Sequence, residues 1–583
     1  MSKKDYRNLI ILEVIAIAII LLLTRGKYVF GSTVDWPYQH YFFADFFRKL
    51  FYETGNLFPN FAFNIGNGQN IFYFSYYGLY SPIFLISYML PFIDMGTFIQ
   101  QAMAVLVILC TLFYYKWLRK RFNSVVSFIV ALVFLTATPI LFHASRHIMF
   151  ISYMPFILLG FYGVDEYFKN KNNKSKVMLA IAVLGIILSN YFFSIVGVFT
   201  IVLYGIYVYL EDHEFHIKNF LIDGWHFLVP LLYGILLSMF FILPTFYVVL
   251  EGRVSTTTHI NLLRQFLPNF DLSQILYSSY SYGLSLLAIF GLVNAWFSKK
   301  TNQKWISILL TILTFIPIVV YVLNGFMYVE YKIFIPLIPL IGMLIGFFIQ
   351  DLLQQKLTRK IILLVLAFVV LSSIVNLKIF ILIDLLVLLI VFVAILKNKK
   401  VGTVFLILYL IAYGFVGAFQ ANLISKEDFY KANDSTVQKN IEKVLEKEKN
   451  IYRFNYDDYD LYHINHILNM DYYNSSVYSS LSNLNNREAF VDLFQNEIGY
   501  RNNMILNESN NILYNIYMGN KYLYSTNNQM YGYEEVGEDI YANPDVFPIG
   551  YASYQIMSLD YYKNLKYPYT MEALLNYIVV DEK

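Results

Sequence analysis

The sequence predicts an α-helical polytopic membrane protein of about thirteen transmembrane helices, followed by a C-terminal extracytoplasmic α+β domain. Three observations predict it. Apolar runs recur between Asn8 and Asn422, each close to the roughly 17–25 residues that a helix needs to cross a hydrocarbon core. The short loops between them alternate in Lys and Arg content, as the positive-inside rule asks. Beyond residue 422 the chain turns polar and rich in Tyr and Asn. Of the 583 residues, 58% are hydrophobic and 14% charged, with a mean hydropathy of +0.51, unlike any average soluble domain. A net charge of +3 is too small to argue for a nucleic-acid partner.

Lys3, Lys4 and Arg7 precede the first run and place the N-terminus in the cytoplasm. The run Leu9 to Leu23 ends in Thr24-Arg25-Gly26-Lys27 with no small-x-small cleavage site, so it is a retained anchor. Residues 24–96 then form one long extracytoplasmic loop. Within it, Pro37 to Glu53 predicts an interfacial amphipathic helix: Phe42, Phe43, Phe46, Phe47 and Leu50 dip into the headgroup boundary, while Asp45, Arg48, Lys49 and Glu53 stay solvated. Asn56 to Asn70, with Pro59, Gly66 and Gly68, is a turn-rich connector. Tyr76 to Phe92 is apolar but is left out of the span count, because counting it moves the basic cluster Lys116 to Arg121 to the outer face. It reads as a juxtamembrane helix or re-entrant segment.

The remaining spans fall at about 97–118, 124–142, 148–164, 177–189, 191–210, 226–249, 275–297, 304–323, 333–350, 361–377, 379–396 and 401–422. Five of the six loops this topology puts inside are basic, and the 211–225 loop is near neutral. The domains are therefore 1–422, transmembrane, and 423–583, placed outside by the odd span count. In the tail, Lys426 to Lys449 is helical in character, and Ile451 to Asn455 and Lys521 to Tyr524 read as strands. Cys110, the only cysteine, lies in an apolar run, so the chain has neither a disulfide framework nor a cysteine-based zinc site.

The candidate chemistry clusters in the outer loops. Asp35, in Gly31-Ser32-Thr33-Val34-Asp35-Trp36-Pro37-Tyr38-Gln39, is a carboxylate positioned to act as general base, or else a helix N-cap ahead of Trp36-Pro37. His143-Ala144-Ser145-Arg146-His147 forms a cationic cluster: Arg146 suits two phosphate oxygens, and neutral His147 a proton relay, or both are interfacial anchors. Glu251, Arg253 and Arg264 occupy one later outer loop, and Glu330, Tyr331 and Lys332 another. Arg253, Arg264 and Lys332 depart from the outer-loop scarcity of basic residues, which a lipid-phosphate ligand or surface solvation explains. Glu13 and Asp384 are candidate intramembrane relays. The Tyr-rich stretches Tyr456 to Tyr462 and Tyr472 to Tyr478 suit stacking on sugars, although an AT-rich genome also produces them. No P-loop, dinucleotide fingerprint, zinc helix or nucleophile elbow occurs.

Gly31 to Gln39, then Gly55-Asn56-Leu57-Phe58-Pro59, Tyr80-Ser81-Pro82, Asn190-Tyr191-Phe192-Phe193 and Tyr331-Lys332, resemble the YfhO-like family of bacterial membrane proteins. In the tail the resemblance continues in Asn520-Lys521-Tyr522-Leu523-Tyr524 and from Ile540-Tyr541-Ala542-Asn543 through Phe547-Pro548-Ile549-Gly550. It implies a GT-C-like fold and membership of the GT-C class of membrane glycosyltransferases. These take a sugar from a polyprenyl-phosphate carrier on the outer face and, in this family, are implicated in decorating teichoic or lipoteichoic acids. It further implies that Asp35 is the catalytic carboxylate, and that Arg146, Arg253 and Lys332, matched by position, hold the donor phosphate; His147 and Arg264, from the loop reading, are added as donor-phosphate candidates. Gln39, Glu251, Glu330 and Tyr331 are further substrate-binding candidates. Lys332 stands where the class has Arg. Because family members are usually longer and end in a further membrane span, a truncated or minimal member is expected.

Asp35, Glu251 and Glu330 are too dispersed to argue for a metal site, and the cofactor is unknown. The expected partners are a polyprenyl-phosphate-linked sugar, a teichoic-acid-type acceptor and the bilayer, with no nucleic acid, in a bacterial plasma membrane. Two alternatives stay open: a transporter or flippase for a lipid-linked or anionic solute, and a noncatalytic scaffold for envelope assembly.

Overall fold

The computed structural model describes residues 1–252, 260–433, 435–456, 463–496, 504–505, 511–526 and 531–581. The chain divides into two compact units. The first comprises Met1–Thr33, Tyr80–Ile242 and Thr257–Ser425, and the second Val34–Leu79, Leu243–Thr256 and Lys426–Lys583.

Every one of the predicted apolar spans carries a helix, and all lie in the first unit except the end of the 226–249 span, which passes into the second at Leu243. Among the described residues, eight helices are long and apolar enough to cross a membrane alone, or up to ten if each of two bent pairs counts as one span. The other three predicted spans fall on helices Asn173–Ser189, Leu287–Trp296 and Arg359–Val375, of 17, 10 and 17 residues. At 1.5 Å per residue the middle one is far short of a full crossing. The bends have chemical causes. Ser124–Thr136 and Thr138–Ser145 meet at 43° ahead of Pro139, and Thr301–Phe315 and Pro317–Leu323 meet at 87° at Pro317, since proline removes a helical donor.

Helix Lys3–Thr24 opens with a capping box between Ser2 and Asp5, and the other oxygen of Asp5 accepts from Tyr115 (2.9 Å) and Arg119 (2.6 Å). Arg121 and Lys120 both pair with Asp165, at 2.7 and 2.9 Å. The expected basic cluster 116–121 therefore ties three helices together at one end. Leu287–Trp296 and Ile338–Leu353 approach so closely at Gly291 that a Cβ there would lie 2.8 Å from the Ile345 backbone nitrogen.

The two expected relay acids do not form a pair of charges facing a cavity. Asp384 is fastened by the hydroxyls of Tyr277 and Tyr409 and by the Leu286 N–H, whereas Glu13 is exposed on the surface of its helix. Asp384 is thus a packing device that fixes the 277–286 loop.

The second unit corrects the reading of Pro37 to Glu53 as an interfacial helix. A π turn, Trp36–Tyr41, leads into helix Phe42–Thr54, which Gly55 ends at φ 65°. Phe42, Phe43, Phe46, Phe47 and Leu50 do form one face, but protein covers it: all are at most 6% exposed. Phe43 packs on Phe74 and Tyr77, each at 4.7 Å between ring centroids, and Phe42 stacks on His466 at 4.3 Å. Periodicity identified a buried face; residues remote in sequence supply what buries it.

The 56–70 connector contains a two-residue hairpin, Phe61–Ala62 with Gln69–Asn70. Its asparagines bond the tail. Asn64 Nδ2 donates to the carbonyls of Met470 (2.7 Å) and Tyr472 (3.0 Å), and Asn67 Nδ2 to Asn486 Oδ1 (2.9 Å) and the Tyr514 hydroxyl (3.1 Å). The tail itself has helices Lys426–Ala432 and Ser435–Leu445, and a four-stranded sheet ordered Arg453–Tyr456, Asn520–Tyr524, Ile540–Ala542, Glu534–Gly537. The first pair is parallel and the others antiparallel, an α+β arrangement.

Candidate functional site

In the first unit the site grows from the bend between Ser124–Thr136 and Thr138–Ser145. The Thr138 N–H, released by the break, donates to the Gly283 carbonyl at 3.0 Å. Gly283 has φ +58°, and a Cβ there would sit 2.2 Å from Pro139 Cδ, so only glycine lets this loop close on the bend. The loop delivers Ser279 and Tyr280 to the two histidines.

His143 is fully buried, with Nε2 at 2.8 Å from the Ser279 carbonyl. A carbonyl only accepts, so Nε2 carries a proton. His147 Nδ1 lies 3.3 Å from His143 Nδ1, with the Tyr280 hydroxyl 3.4 Å away, so the two rings and the hydroxyl form one hydrogen-bonded group.

Arg146 lies between them in sequence and ends the helix. It is half-buried, its guanidinium carbon sits 5.2 Å from the Phe142 ring centroid, and its buried Nε has no hydrogen-bond partner among the described residues. A buried donor of this kind costs about 1–3 kcal/mol unless something accepts from it.

Lys332 is reached from the same cluster through packed rings. His147 stacks on Phe150 (5.0 Å), Phe150 meets Phe193 (4.8 Å), and Phe193 meets Phe192 (5.1 Å). Lys332 Nζ then lies 4.7 Å from the Phe192 ring and 4.8 Å from that of Tyr328, with Glu330 at 3.2 Å. Asn190 sets this path. Fully buried, its Oδ1 caps helix Tyr191–Asp212 by accepting from the N–H groups of Phe192 (2.8 Å) and Phe193 (3.1 Å). The Asn190-Tyr191-Phe192-Phe193 motif is thus a cap that aims two rings.

The other expected residues are placed as follows. Tyr331 bonds Asn269 and is not part of the histidine cluster, and Arg264 is exposed on the short turn Leu263–Phe266. Arg253 lies outside the described residues. Glu251, in the second unit, is exposed and hydrogen-bonded by Tyr247.

Asp35 belongs to the second unit. Its backbone, at φ 61° and ψ −30°, and the Trp36 N–H donating to the Val34 carbonyl at 2.7 Å close the strained form of the γ-turn. Although Asp35 stands at the N-cap position of the π turn, its side chain makes no capping bond. The backbone N–H of Gln39, a buried residue, donates to the Asp35 carbonyl at 3.0 Å. Asp35 is therefore a half-buried residue on a strained turn.

Sequence reasoning missed Tyr280, Phe192, Tyr328 and the supporting role of Asn190. Asn190 carried a usable signal, an Asn directly ahead of an apolar helical run. Tyr280 carried none. Among the described residues no group of three or more His, Cys, Asp or Glu is placed to hold a metal ion.

Long apolar helices with buried polar side chains at their ends define a multi-pass membrane protein. A profile described as "Bacterial membrane protein YfhO" matches residues 9–583, and the chain belongs to that family. No curated protein matches it. Among solved structures it is similar to ArnT from Cupriavidus metallidurans bound to undecaprenyl phosphate, at 13% identity and a TM-score of 0.43, over 80% of this chain and 85% of that one. It is also similar to the Archaeoglobus fulgidus oligosaccharyltransferase in its apo form, at 10% identity and a TM-score of 0.45, over 89% and 69%. A third similar structure is AglB from the same archaeon with an inhibitory peptide and a dolichol-phosphate, at 11% identity and a TM-score of 0.43, over 89% and 69%.

Proposed function

We propose that the protein is a GT-C class membrane glycosyltransferase that moves a sugar from a polyprenyl-phosphate carrier to a teichoic- or lipoteichoic-type polymer on the outer face of the plasma membrane. The observation that carries this reading is Arg146, a half-buried guanidinium whose Nε has no hydrogen-bond partner among the described residues, in a sequence cluster with two buried histidines that meet each other and Tyr280. Such a group suits a phosphate oxygen. Lys332, held on Phe192 and Tyr328, supplies a second positive charge.

In this reaction Asp35 takes the proton of an acceptor hydroxyl, and the freed oxygen attacks the anomeric carbon of the donor. The bond from that carbon to the phosphate oxygen breaks, and the phosphate leaves with the electron pair. Arg146 and Lys332 stabilise the charge that develops on it. The domains proposed for this division of labour are 1–422 for the carrier and 423–583 for the extracytoplasmic part.

The transporter alternative needs paired charges along a path, and Asp384 is already committed to two tyrosines and a backbone N–H. Composition analysis of wall and lipoteichoic acids from cells with and without the gene tests the reading. A sugar missing only in the deletion, restored by the wild-type gene, supports transfer. Unchanged polymers contradict it.

A further inference from the structure

A cleft of about 470 Å³ opens in the second unit, between the end of helix Ser435–Leu445, the turn that follows it and the segment 469–473. Its size falls within the roughly 300–1,000 Å³ of small-ligand sites. Its charge is unbalanced. Glu442, Glu446 and Asp471 line it and have no ion-pair partner among the described residues, against a single lining ammonium, that of Lys449.

A fourth lining carboxylate, Glu448, has a different task. One of its oxygens accepts from Lys521 Nζ (2.5 Å) and the Tyr522 hydroxyl (2.7 Å), the other from the N–H groups of Lys449 (3.0 Å) and Asn450 (3.4 Å). It is saturated and fixes the wall. Tyr452 and Tyr473 also line the cleft, with the amides of Asn450 and Asn469. The Tyr452 ring already holds one ammonium, Lys521 Nζ, at 4.3 Å from its centroid.

The unpaired carboxylates favour a cation. A bare metal ion does not fit, since among the described residues no three acidic or histidine side chains come together to ligate one. A larger organic cation does. Carboxylates meet its charge, tyrosine rings meet its C–H or ammonium face, and the two amides offer both donors and acceptors to hydroxyl groups. We propose that this cleft binds an amine-bearing saccharide. That the ligand is a saccharide rests on the transferase reading above; that it is cationic rests on the cleft alone. The same charge disfavours a polymer segment whose only charges are phosphates or carboxylates.

The test uses the full-length protein in detergent, titrated by calorimetry with glucosamine tetramer, N-acetylglucosamine tetramer, galacturonic acid tetramer and tetralysine. The glucosamine tetramer is expected to bind at least tenfold more tightly than the other three. The double variant Glu446→Gln and Asp471→Asn, both at exposed residues, should weaken that binding at least tenfold at an unchanged melting temperature, and Tyr473→Ala should weaken it as well. Asp35→Asn should bind like wild type, which separates failure at this cleft from failure of the transferase reading. Absence of glucosamine-tetramer binding, or equal binding by the double variant, overturns the site. Tetralysine binding as tight as the tetramer overturns the saccharide. Loss of sugar transfer with intact binding leaves the cleft in place.

Discussion

Arg146 lies over the ring of Phe142, its guanidinium carbon 5.2 Å from the ring centroid, with its Nε buried and unanswered by any hydrogen-bond acceptor among the described residues. The ring holds the side chain in place without consuming its donors. If those donors serve the carrier phosphate, Arg146→Ala raises the apparent KM for the lipid-linked donor at least tenfold, in line with about 1.5–3 kcal/mol for a hydrogen bond to a charged group. Arg146→Lys keeps the charge but loses the two-pronged geometry and falls between. Donor titration in proteoliposomes checks this, and an unchanged KM in the alanine variant removes the residue from the site.

Cys110 is the only cysteine and is 1% exposed, so a single introduced thiol reports topology without interference. Tyr554 is fully exposed in the tail. In Tyr554→Cys, a membrane-impermeant maleimide should label intact cells, as an extracytoplasmic tail requires. Labelling only after lysis places the tail inside and removes the outer-face chemistry.

His466 is 4% exposed and stacked on Phe42; burial, then the nearby Lys49 ammonium, holds its pKa well below the usual histidine range. The folded state therefore keeps the ring neutral while the unfolded chain takes up a proton near pH 6.5. Its contribution to stability is complete above about pH 6.5 and is lost as the pH falls below that value, by up to about 1.4 kcal/mol per pH unit. Thermal unfolding of the full chain from pH 7.5 to 5 should show this slope, and His466→Phe should flatten it while keeping the ring stack.

The helices were legible because a run of apolar residues long enough to cross a bilayer has few other meanings. Their bends were less so: Pro139 and Pro317 were visible, but the 43° and 87° they accompany depend on what packs at the break. The face of Phe42, Phe43, Phe46, Phe47 and Leu50 was correct as a face and wrong as a membrane contact, because Phe74, Tyr77 and His466 come from distant sequence. The Asn and Tyr content, read as compositional bias, includes bonds that hold loop and tail segments together within the second unit: Asn64, Asn67 and Asn465, which donates to the Tyr38 carbonyl at 2.7 Å. At the site, Arg146 and Lys332 could be named from their loops. The histidine hydrogen bonds and the Asn190 cap needed coordinates, since each depends on one backbone carbonyl or one helix start.

Asp35 sits on a strained turn, with a side chain that caps nothing. The most direct measurement is sugar transfer from a polyprenyl-phosphate donor to purified acceptor polymer by wild type, Asp35→Asn and Asp35→Glu in proteoliposomes, with donor binding followed in parallel. The account predicts that Asp35→Asn binds the donor normally and transfers at less than one-hundredth of the wild-type rate, in keeping with about 10²–10⁴-fold for a lost general base, while Asp35→Glu keeps partial activity. Transfer by Asp35→Asn at the wild-type rate contradicts it.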